Sequence, residues 1–267
     1  MKAVILARGL GKRMRQVDEH ATVDASQAAV ADQGIKAMIP IGRPFLDYVL
    51  SALADAGCDD VCLVIGPEHS TIREYYERPG RLNRVHMSFA IQERPIGTAN
   101  AVLAAEPFAG TDRFLVMNAD NYYPIAAYVA LRELGEPGLI AFGREALVAD
   151  GHIPPDRILR FALLDIGADG YLRRVVEKPD EATALAMPDS LVSMNIWCFD
   201  AGIFDPCRTV QPSARGELEI PGAVQHAIDA YGRRFRTVPL HAPVLDLSSR
   251  ADIAGVAERL AGVDVRL

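Results

Sequence analysis

The sequence has few cysteines, little aromatic content and no long hydrophobic run. Only Cys58, Cys62, Cys198 and Cys207 occur in 267 residues, and their spacing matches neither a metal site nor a disulfide framework. We therefore expect reduced core cysteines in a cytoplasmic protein. No apolar stretch approaches the roughly 20 residues that a membrane-spanning helix needs, and the apolar segment 3–7 is too short for a signal peptide.

Positive charge is also scarce. Lys and Arg number 28 against 35 Asp and Glu, which gives a net charge of −7 at pH 7. Nucleic-acid affinity depends largely on Lys and Arg side chains that neutralise phosphates, so this balance argues against a nucleic-acid-binding protein. Half of the residues are hydrophobic, which excludes a disordered or collagen-like chain and leaves a globular protein with a sizeable core.

Short β-branched segments alternate with helical patterns in the first half of the chain. This alternation predicts an α/β fold of Rossmann-like type, with a mixed, mostly parallel sheet and helices on both faces. The predicted strands are residues 3–7, 61–65, 87–92, 114–117 and 139–142, and the predicted helices are 45–56, 70–76, 98–105 and 125–134.

The second half has a different pattern. Segments 161–166 and 172–177 flank a glycine-containing turn and predict an antiparallel hairpin. Further strands are predicted at 193–199 and 235–238, and further helices at 218–231 and 251–260. The polar segment 15–34 interrupts the alternation without clear periodicity, and we interpret it as a flap over a binding site.

The first strand runs into a glycine turn. Residues 7–14 read Ala-Arg-Gly-Leu-Gly-Lys-Arg-Met, so backbone N–H groups are exposed and Arg8, Lys12 and Arg13 are expected near one point. Such a turn suits a polyphosphate. The dinucleotide-binding fingerprint is absent, because Met14 stands at its third glycine position and no acidic residue follows at the required distance. Alone, the turn fits a plain tight turn equally well.

Further blocks extend this motif along the chain. Segment 36–46 reads Lys-Ala-Met-Ile-Pro-Ile-Gly-Arg-Pro-Phe-Leu, and other blocks lie at 92–99, 118–121, 177–179, 215–220 and 244–246. With them the sequence resembles the sugar-1-phosphate nucleotidyltransferases, or NDP-sugar pyrophosphorylases, over nearly its whole length. Glucose-1-phosphate thymidylyltransferases and mannose-1-phosphate guanylyltransferases belong to this group.

The resemblance implies a reaction and an architecture. A nucleoside monophosphate would pass from an NTP to a sugar-1-phosphate, releasing pyrophosphate and forming an NDP-sugar. The fold would resemble that of GT-A glycosyltransferases, with the antiparallel hairpin region on the acceptor side. We expect a single domain, 1–267, with a nucleotide-binding half at 1–145 that includes the flap and a sugar-phosphate-binding half at 146–267.

The nucleotide site implied by the resemblance lies around the glycine turn. Arg13 and Lys36 would hold the triphosphate, for which Arg offers a bidentate grip and Lys a mobile point charge. Gln92 resembles the base-reading residue, but its amide both donates and accepts, so it does not name the base. The nucleotide-binding residues are Leu6, Ala7, Arg8, Gly9, Gly11, Lys12, Arg13, Lys36, Gln92, Gly97, Thr98 and Asn118.

A metal site is implied at the end of the strand 114–117. Asp120 follows that strand where ligands bind in open α/β sheets, and the resemblance implies that it binds Mg²⁺ together with Asp246. Two carboxylates and substrate phosphates suit this hard cation. The predicted catalytic residues are Arg13, Lys36, Asp120 and Lys178.

On the acceptor side, Glu177 would accept hydrogen bonds from sugar hydroxyls, and Lys178 would hold the sugar phosphate. The full set of predicted sugar-phosphate-binding residues is Asn121, Arg160, Glu177, Lys178, Ser193, Asn195 and Arg215. The sequence departs from the family pattern at Arg8, at Lys12 and at residues 248–250. Further departures at Arg160, Ser193 and Asn195 indicate a remodelled acceptor pocket. They leave room for an unusual acceptor such as a cyclitol phosphate.

Two alternatives stay open. The departures fit a non-catalytic, nucleotide-binding regulatory homologue, although retention of Arg13, Lys36, Asp120 and Asp246 speaks against it. A GT-A glycosyltransferase is a further alternative, but residues 118–120 read Asn-Ala-Asp where such enzymes carry two aspartates. Relatives of this kind are often homo-oligomers, and no apolar stripe in the sequence identifies an interface.

Overall fold

A ten-stranded mixed sheet forms the centre of the computed structural model, which describes residues 1–151 and 153–267. The strands are β1 (Lys2–Leu6), β2 (Asp60–Ile65), β3 (His86–Ile91), β4 (Phe114–Asn118), β5 (Asn121–Tyr122), β6 (Gly138–Phe142), β7 (Ala162–Ile166), β8 (Leu172–Val176), β9 (Val192–Ser193), β10 (Ile196–Phe199), β11 (Arg236–Leu240) and β12 (Leu245–Asp246).

Helices of very different length connect these strands. They are α1 (Lys12–Arg15), α2 (Ala25–Gln33), α3 (Phe45–Asp55), α4 (Ser70–Tyr76), α5 (Thr98–Ala104), α6 (Glu106–Ala109), α7 (Ile125–Glu133), α8 (Arg144–Ala149), α9 (Pro155–Ile158), α10 (Glu181–Ala186), α11 (Phe204–Thr209), α12 (Ile220–Tyr231) and α13 (Asp252–Leu260). Short 3₁₀ turns lie at Lys36–Met38 and Ala201–Ile203.

The strand order brings the carboxyl ends of three parallel strands to one edge of the sheet. The order is β3-β2-β1-β4-β10-β6-β9-β7-β8, and β11 pairs with β6. Strands β1 to β4 are mutually parallel, whereas β10 runs antiparallel to both β4 and β6. The carboxyl ends of β1, β3 and β4 therefore face the same side, where ligands bind in open α/β sheets. Beside this edge, β5 and β12 form a separate antiparallel pair.

Hydrophobic cores lie on both faces of the sheet. Alternate residues of β1 serve opposite faces: Ala3 and Ile5 belong to one buried cluster, and Val4 and Leu6 to the other. The apolar side of α3 covers the first face and α5 covers the second, as the period-2 alternation of a strand dictates. The predicted α/β class with helices on both faces is confirmed.

The predicted antiparallel hairpin is present as β7 and β8, but the predicted strand 193–199 is wrong in one respect. Asn195 has a φ of 58°, a left-handed conformation that no extended strand contains. It separates β9, which pairs with β6 and β7, from β10, which pairs with β4.

Segment 15–34 is more ordered than its composition predicts. Asp24 and Gln27 form a capping box at the start of α2, and such reciprocal bonds stabilise a helix start. The buried guanidinium of Arg250 donates to the carbonyl oxygen of Met14 at 3.0 Å and pairs with Asp32. The helical part of the segment is thus tied to the body of the protein, and its role as a flap stays a prediction.

The cysteines are buried and free, as expected from the sequence. Within the described ranges, no helix has the length and hydropathy needed to cross a membrane.

Candidate active site

A cavity of about 400 Å³ opens at the carboxyl edge of β1, β3 and β4. Its walls come from segments far apart in the sequence: the glycine turn, the 3₁₀ turn at residue 36, the end of β3 and the end of β4. Every residue predicted to bind the nucleotide lines it, together with Asp120. The remaining lining residues are Leu10, Gly34, Ala37, Pro95, Ala101, Ala119 and Glu217.

The glycine turn is shaped by contact with the end of α2. Gly11 has a φ of 59°, and a Cβ atom there would lie 2.2 Å from the carbonyl oxygen of Gly34. Only glycine fits this left-handed position and this close backbone approach. Gly34, the last residue of the segment predicted as a flap, therefore packs directly against the glycine turn.

Three cationic side chains line the β4 side of the cavity. Lys36 Nζ lies 2.8 Å from Asp120 Oδ2. Arg13 Nη2 lies 3.5 Å from Ser248 Oγ, and Lys12 lines the same wall. All three side chains line the cavity; Lys12 and Arg13 are exposed and Lys36 is half-buried.

Arg8 does not join them, which corrects the expectation that three basic side chains meet at one point. Its Nε donates to the carbonyl oxygen of Gln92 at 2.9 Å, and its Nη1 pairs with Glu68 Oε1 at 2.5 Å. The guanidinium is buried against Gly66, where a Cβ atom would lie 2.4 Å from Nε. The hydrogen bond to Gln92 therefore places the Arg8 guanidinium at the β3 end of the cavity, where Glu68 balances its charge.

The Gln92 amide has a fixed orientation at that end. Its Nε2 donates to the carbonyl oxygen of Gly97 at 2.9 Å and to Asn100 Oδ1 at 3.0 Å. Because a backbone carbonyl only accepts hydrogen bonds, the Gln92 side-chain atom that faces the Gly97 carbonyl must be the amide nitrogen. Gln92 Oε1 is then left as the group that can accept a hydrogen bond from a ligand.

The start of α5 is held against the segment before α12. Gly97 has a φ of 130°, and a Cβ atom there would meet the carbonyl oxygen of Leu218 at 2.2 Å. The backbone N–H of Ile220 donates to Thr98 Oγ1 at 2.8 Å. Thr98 thus fixes the cavity wall through a backbone contact in addition to lining it.

Asp120 and Asp246 are neighbours, as predicted. Asn121 pairs with Asp246 across β5 and β12, and the N–H of Leu247 donates to the carbonyl oxygen of Asp120 at 2.8 Å. Burial raises the pKa of Asp246, the guanidinium of Arg157 opposes that rise, and the negative charge of Asp120 adds to it. The two carboxylates therefore lie close enough to interact.

The carboxylates differ in how well they fit a metal ion. Asp120 accepts only from Lys36 among the described side chains, so Oδ1 is open to a cation. Asp246 Oδ1 accepts from Asn121 at 3.1 Å and from Ser248 at 2.9 Å, and Oδ2 accepts from Arg157. Asp120 fits a hard cation, whereas Asp246 as described offers it no free charge. In residues 1–151 and 153–267, no group of three or more acidic, His or Cys side chains is arranged as a metal site.

The acceptor side carries two of its predicted cations close together. Burial lowers the pKa of Lys178, and the charge of Arg215 lowers it further, as does that of Arg13. Burial also raises the pKa of Glu177, whose carboxylate is 3.9 Å from Lys178 Nζ. Lys178 adopts a φ of 46°, a conformation that costs energy and is common at functional sites.

The other four predicted acceptor residues have different surroundings. Ser193 is buried and its Oγ accepts from the N–H of Asn195 at 3.2 Å. Asn195 Oδ1 is buried without a hydrogen-bond partner among the described residues. Arg160 is exposed at the end of α9 and does not line the cavity. Asn121 is buried and bonded to Asp246.

Several residues at the site were not foreseen from the sequence. Arg157 pairs with both Asp246 and Asp252, Ser248 lies between Arg13 and Asp246, and Asn100 orients Gln92. The substitution pattern at 248–250 was visible in the sequence, but the partner of each side chain was not.

Comparison with known proteins gives a consistent result. The model of the nucleotidyl transferase family matches residues 2–238. A glucose-1-phosphate thymidylyltransferase of Streptomyces antibioticus is 30% identical over 240 residues, covering 86% of this chain and 58% of that protein. A UTP–glucose-1-phosphate uridylyltransferase of Haloferax volcanii is 29% identical over 262 residues, covering 97% and 96% of the two chains.

The fold is shared with a UTP-bound UGPase from Acinetobacter baumannii, with a TM-score of 0.76 at 17% identity over 99% of this chain and 95% of that one. The chain spans less than two thirds of several curated relatives, for example 57% and 65% of their length.

Proposed function

Because the chain belongs to the nucleotidyl transferase family, we propose that it transfers a nucleoside monophosphate from an NTP to a sugar-1-phosphate or a similar acceptor, such as a cyclitol phosphate. The products are an NDP-sugar and pyrophosphate. One observation carries the proposal. A single cavity joins an end lined by the Gln92 amide and Gly97, where the charge of Arg8 is paired with Glu68, to an end that carries Arg13, Lys36 and Asp120.

The dimensions of the sheet support this assignment. Strands β3 and β4 are separated by β2 and β1, so their ends are about 14 Å apart at a spacing of about 4.8 Å per strand. That span suits a nucleoside triphosphate with its base near Gln92 and its phosphates near Lys36. The acceptor phosphate then approaches from the side of Lys178 and Arg215.

The chemistry is an in-line displacement at the α-phosphorus. An acceptor phosphate oxygen forms the new bond to phosphorus, and the bond to the bridging oxygen of pyrophosphate breaks with its electron pair leaving on pyrophosphate. Cationic side chains stabilise the charge that spreads over the phosphoryl oxygens. The acceptor oxygen is already anionic at pH 7, so no general base is required. Arg13 and Lys36 bind the triphosphate, and Lys178 orients the acceptor.

A divalent cation belongs to this proposal. Asp120 has the open oxygen and the position to hold Mg²⁺ beside the phosphates. When bound there, Mg²⁺ neutralises phosphate charge and supports the leaving group. The buried free thiols further support a reducing, cytoplasmic location.

The test is pyrophosphate release in the presence of Mg²⁺, measured for the common NTPs against a panel of hexose and cyclitol 1-phosphates. At least one combination should release pyrophosphate and yield the NDP-linked product. The Asp120→Asn variant should keep NTP binding and lose turnover. Absence of NTP binding to the wild-type protein would contradict the proposal.

The alternatives give different outcomes in the same assay. A regulatory homologue would bind NTP, and every acceptor would fail. A glycosyltransferase would consume an NDP-sugar without pyrophosphate, a reaction that our proposal excludes.

A further inference from the structure

The surroundings of Asp246 do not suit a metal ligand. Its side chain is 4% exposed, and each of its oxygens already accepts hydrogen bonds. Asn121 and Ser248 donate to Oδ1, and the Arg157 guanidinium donates to Oδ2. A carboxylate oxygen has two lone pairs, so Oδ1 is saturated, and the charge on Oδ2 is already balanced.

Arg157 is itself fixed in this position. It is buried, and its Nη1 also pairs with Asp252 Oδ1 at 2.6 Å. Asp252 in turn accepts from the backbone N–H groups of Ser248 and Ser249 at 3.0 and 2.7 Å. Freeing Asp246 for a cation would therefore leave a buried arginine with one partner fewer and disturb the loop 248–252, which is costly.

Asp246 is also linked to the cation that faces the triphosphate. Ser248 Oγ donates to Asp246 Oδ1 at 2.9 Å, and Arg13 Nη2 lies 3.5 Å from the same hydroxyl. A hydroxyl can donate once and accept at the same time. The buried carboxylate thus orients a hydroxyl toward a guanidinium on the cavity wall. Asn121, its other partner, directly follows Asp120 in sequence.

We propose that Asp246 is a positioning residue that holds Arg13 through Ser248, and that Asp120 is the carboxylate that ligates the metal. The inference rests on the proposed function, because it assigns Arg13 to the triphosphate. Arg157 takes the place of a cation at Asp246. Its guanidinium donates to Oδ2 and holds that carboxylate in place.

Metal binding tests the first half of the proposal without turnover. Mn²⁺ is titrated into the full-length protein with an NTP and no acceptor, and free Mn²⁺ is read from its electron paramagnetic resonance signal. Asp120→Asn should weaken Mn²⁺ binding by about 30-fold or more, because affinity for a hard cation depends on the number of charged ligands. Asp246→Asn and Asp246→Ala should each stay within about threefold of the wild type.

A loss of tenfold or more in both Asp246 variants, with their urea unfolding transitions intact, would overturn the proposal. The Asn side chain can still offer an oxygen to Mn²⁺, whereas Ala cannot. A tenfold loss of Mn²⁺ affinity in Asp246→Ala alone would therefore also identify residue 246 as a metal ligand. If Asp246→Ala does not fold, the Asn variant decides by the same threshold.

NTP affinity tests the second half. Ser248→Ala should raise the Kd for the NTP by about three- to tenfold, measured calorimetrically without acceptor, while Mn²⁺ affinity stays unchanged. In the Arg13→Met background the same substitution should have no further effect, because its partner is gone. Equal effects in both backgrounds would show that Ser248 acts independently of Arg13 and would contradict the proposal.

The outcome separates this inference from the proposed function. If the wild-type protein binds neither Mn²⁺ nor NTP, the proposed function fails and the inference fails with it. If it releases pyrophosphate while the Asp246 variants lose Mn²⁺, only the inference is wrong.

Discussion

Removal of the Lys36 charge is the substitution that most directly probes the charged end of the cavity. Lys36 Nζ lies 2.8 Å from Asp120 Oδ2, and both side chains are about one fifth exposed, at 18% and 22%. A unit charge about 4 Å from a phosphate oxygen contributes about 4 kcal/mol at an effective dielectric constant of about 20. Solvent in the open cavity reduces this, so we expect Lys36→Met to cost about 2 to 3 kcal/mol of transition-state stabilisation.

That free energy corresponds to a fall of about 30- to 150-fold in kcat/KM. The assay is steady-state pyrophosphate release with Mg²⁺ and saturating acceptor. Lys36→Arg keeps the charge and should lose less than Lys36→Met does. Unpaired Asp120 adds repulsion toward the triphosphate in Lys36→Met, so the Kd for the NTP should also rise.

A matched control lies at the other end of β1. Lys2 Nζ pairs with Asp112 Oδ2 at the same distance, 2.8 Å, outside the cavity. Lys2→Met removes an identical charge from the protein and should change kcat/KM by less than about twofold, because Lys2 begins β1, whereas the cavity lies at the carboxyl end of that strand, and charges separated by more than about 10 Å are largely screened. A Lys36→Met enzyme within threefold of the wild type, with the Lys2 control also unchanged, would refute the reasoning.

Three further predictions concern stability, the cavity wall and pH. Arg157→Met should lower the free energy of unfolding by about 3 kcal/mol, since it leaves a buried carboxylate without its cation, whereas exposed Arg160→Met should stay within about 0.5 kcal/mol in urea titrations. Gly97→Ala should weaken NTP binding by about tenfold or more, because its Cβ meets the Leu218 carbonyl oxygen and the strained wall must shift; unchanged calorimetric affinity would contradict this contact. The pKa of Lys178 is lowered below 10.5, first by burial and then by Arg215, so its charge is lost as pH rises through that lowered value. The acceptor KM should therefore increase on the alkaline side before pH 10.5, and Lys178→Arg should remove the increase.

The elements that could be predicted from sequence are those specified by local pattern. The strand before Arg8 and the strand before Asp120 are short apolar runs, and residues at the carboxyl ends of parallel strands meet at one edge. Every nucleotide-binding residue that the family resemblance implies lines one cavity at this edge. Buried cysteines and the hairpin of β7 and β8 follow from composition and turn residues in the same way.

The residues that sequence did not reveal depend on contacts between distant segments. Arg157 reaches Asp246 across 89 positions, and Arg13 reaches Ser248 across 235. No local periodicity encodes such pairs. Arg8 directly precedes Gly9, so the sequence groups it with Lys12 and Arg13. In the structure, contacts with Glu68 and Gln92 hold its guanidinium at the other end of the cavity.

The break at Asn195 has a different cause. Residues 193–199 have the composition of one strand, and only the left-handed backbone at Asn195 divides them. Asn tolerates that conformation better than other non-glycine residues do. A propensity argument gives no reason to expect it at this position, because tertiary pairing of β9 with β7 and of β10 with β4 imposes it.

The most direct measurement follows the α-phosphorus. The protein, Mg²⁺ and the acceptor found in the pyrophosphate-release panel are incubated with NTP labelled at the α-phosphate in one sample and at the γ-phosphate in another. Our account predicts that the α-label appears in the NDP-linked acceptor and the γ-label in pyrophosphate, with equal yields. Recovery of the γ-label on the acceptor, or of both labels only in unreacted NTP, would contradict it.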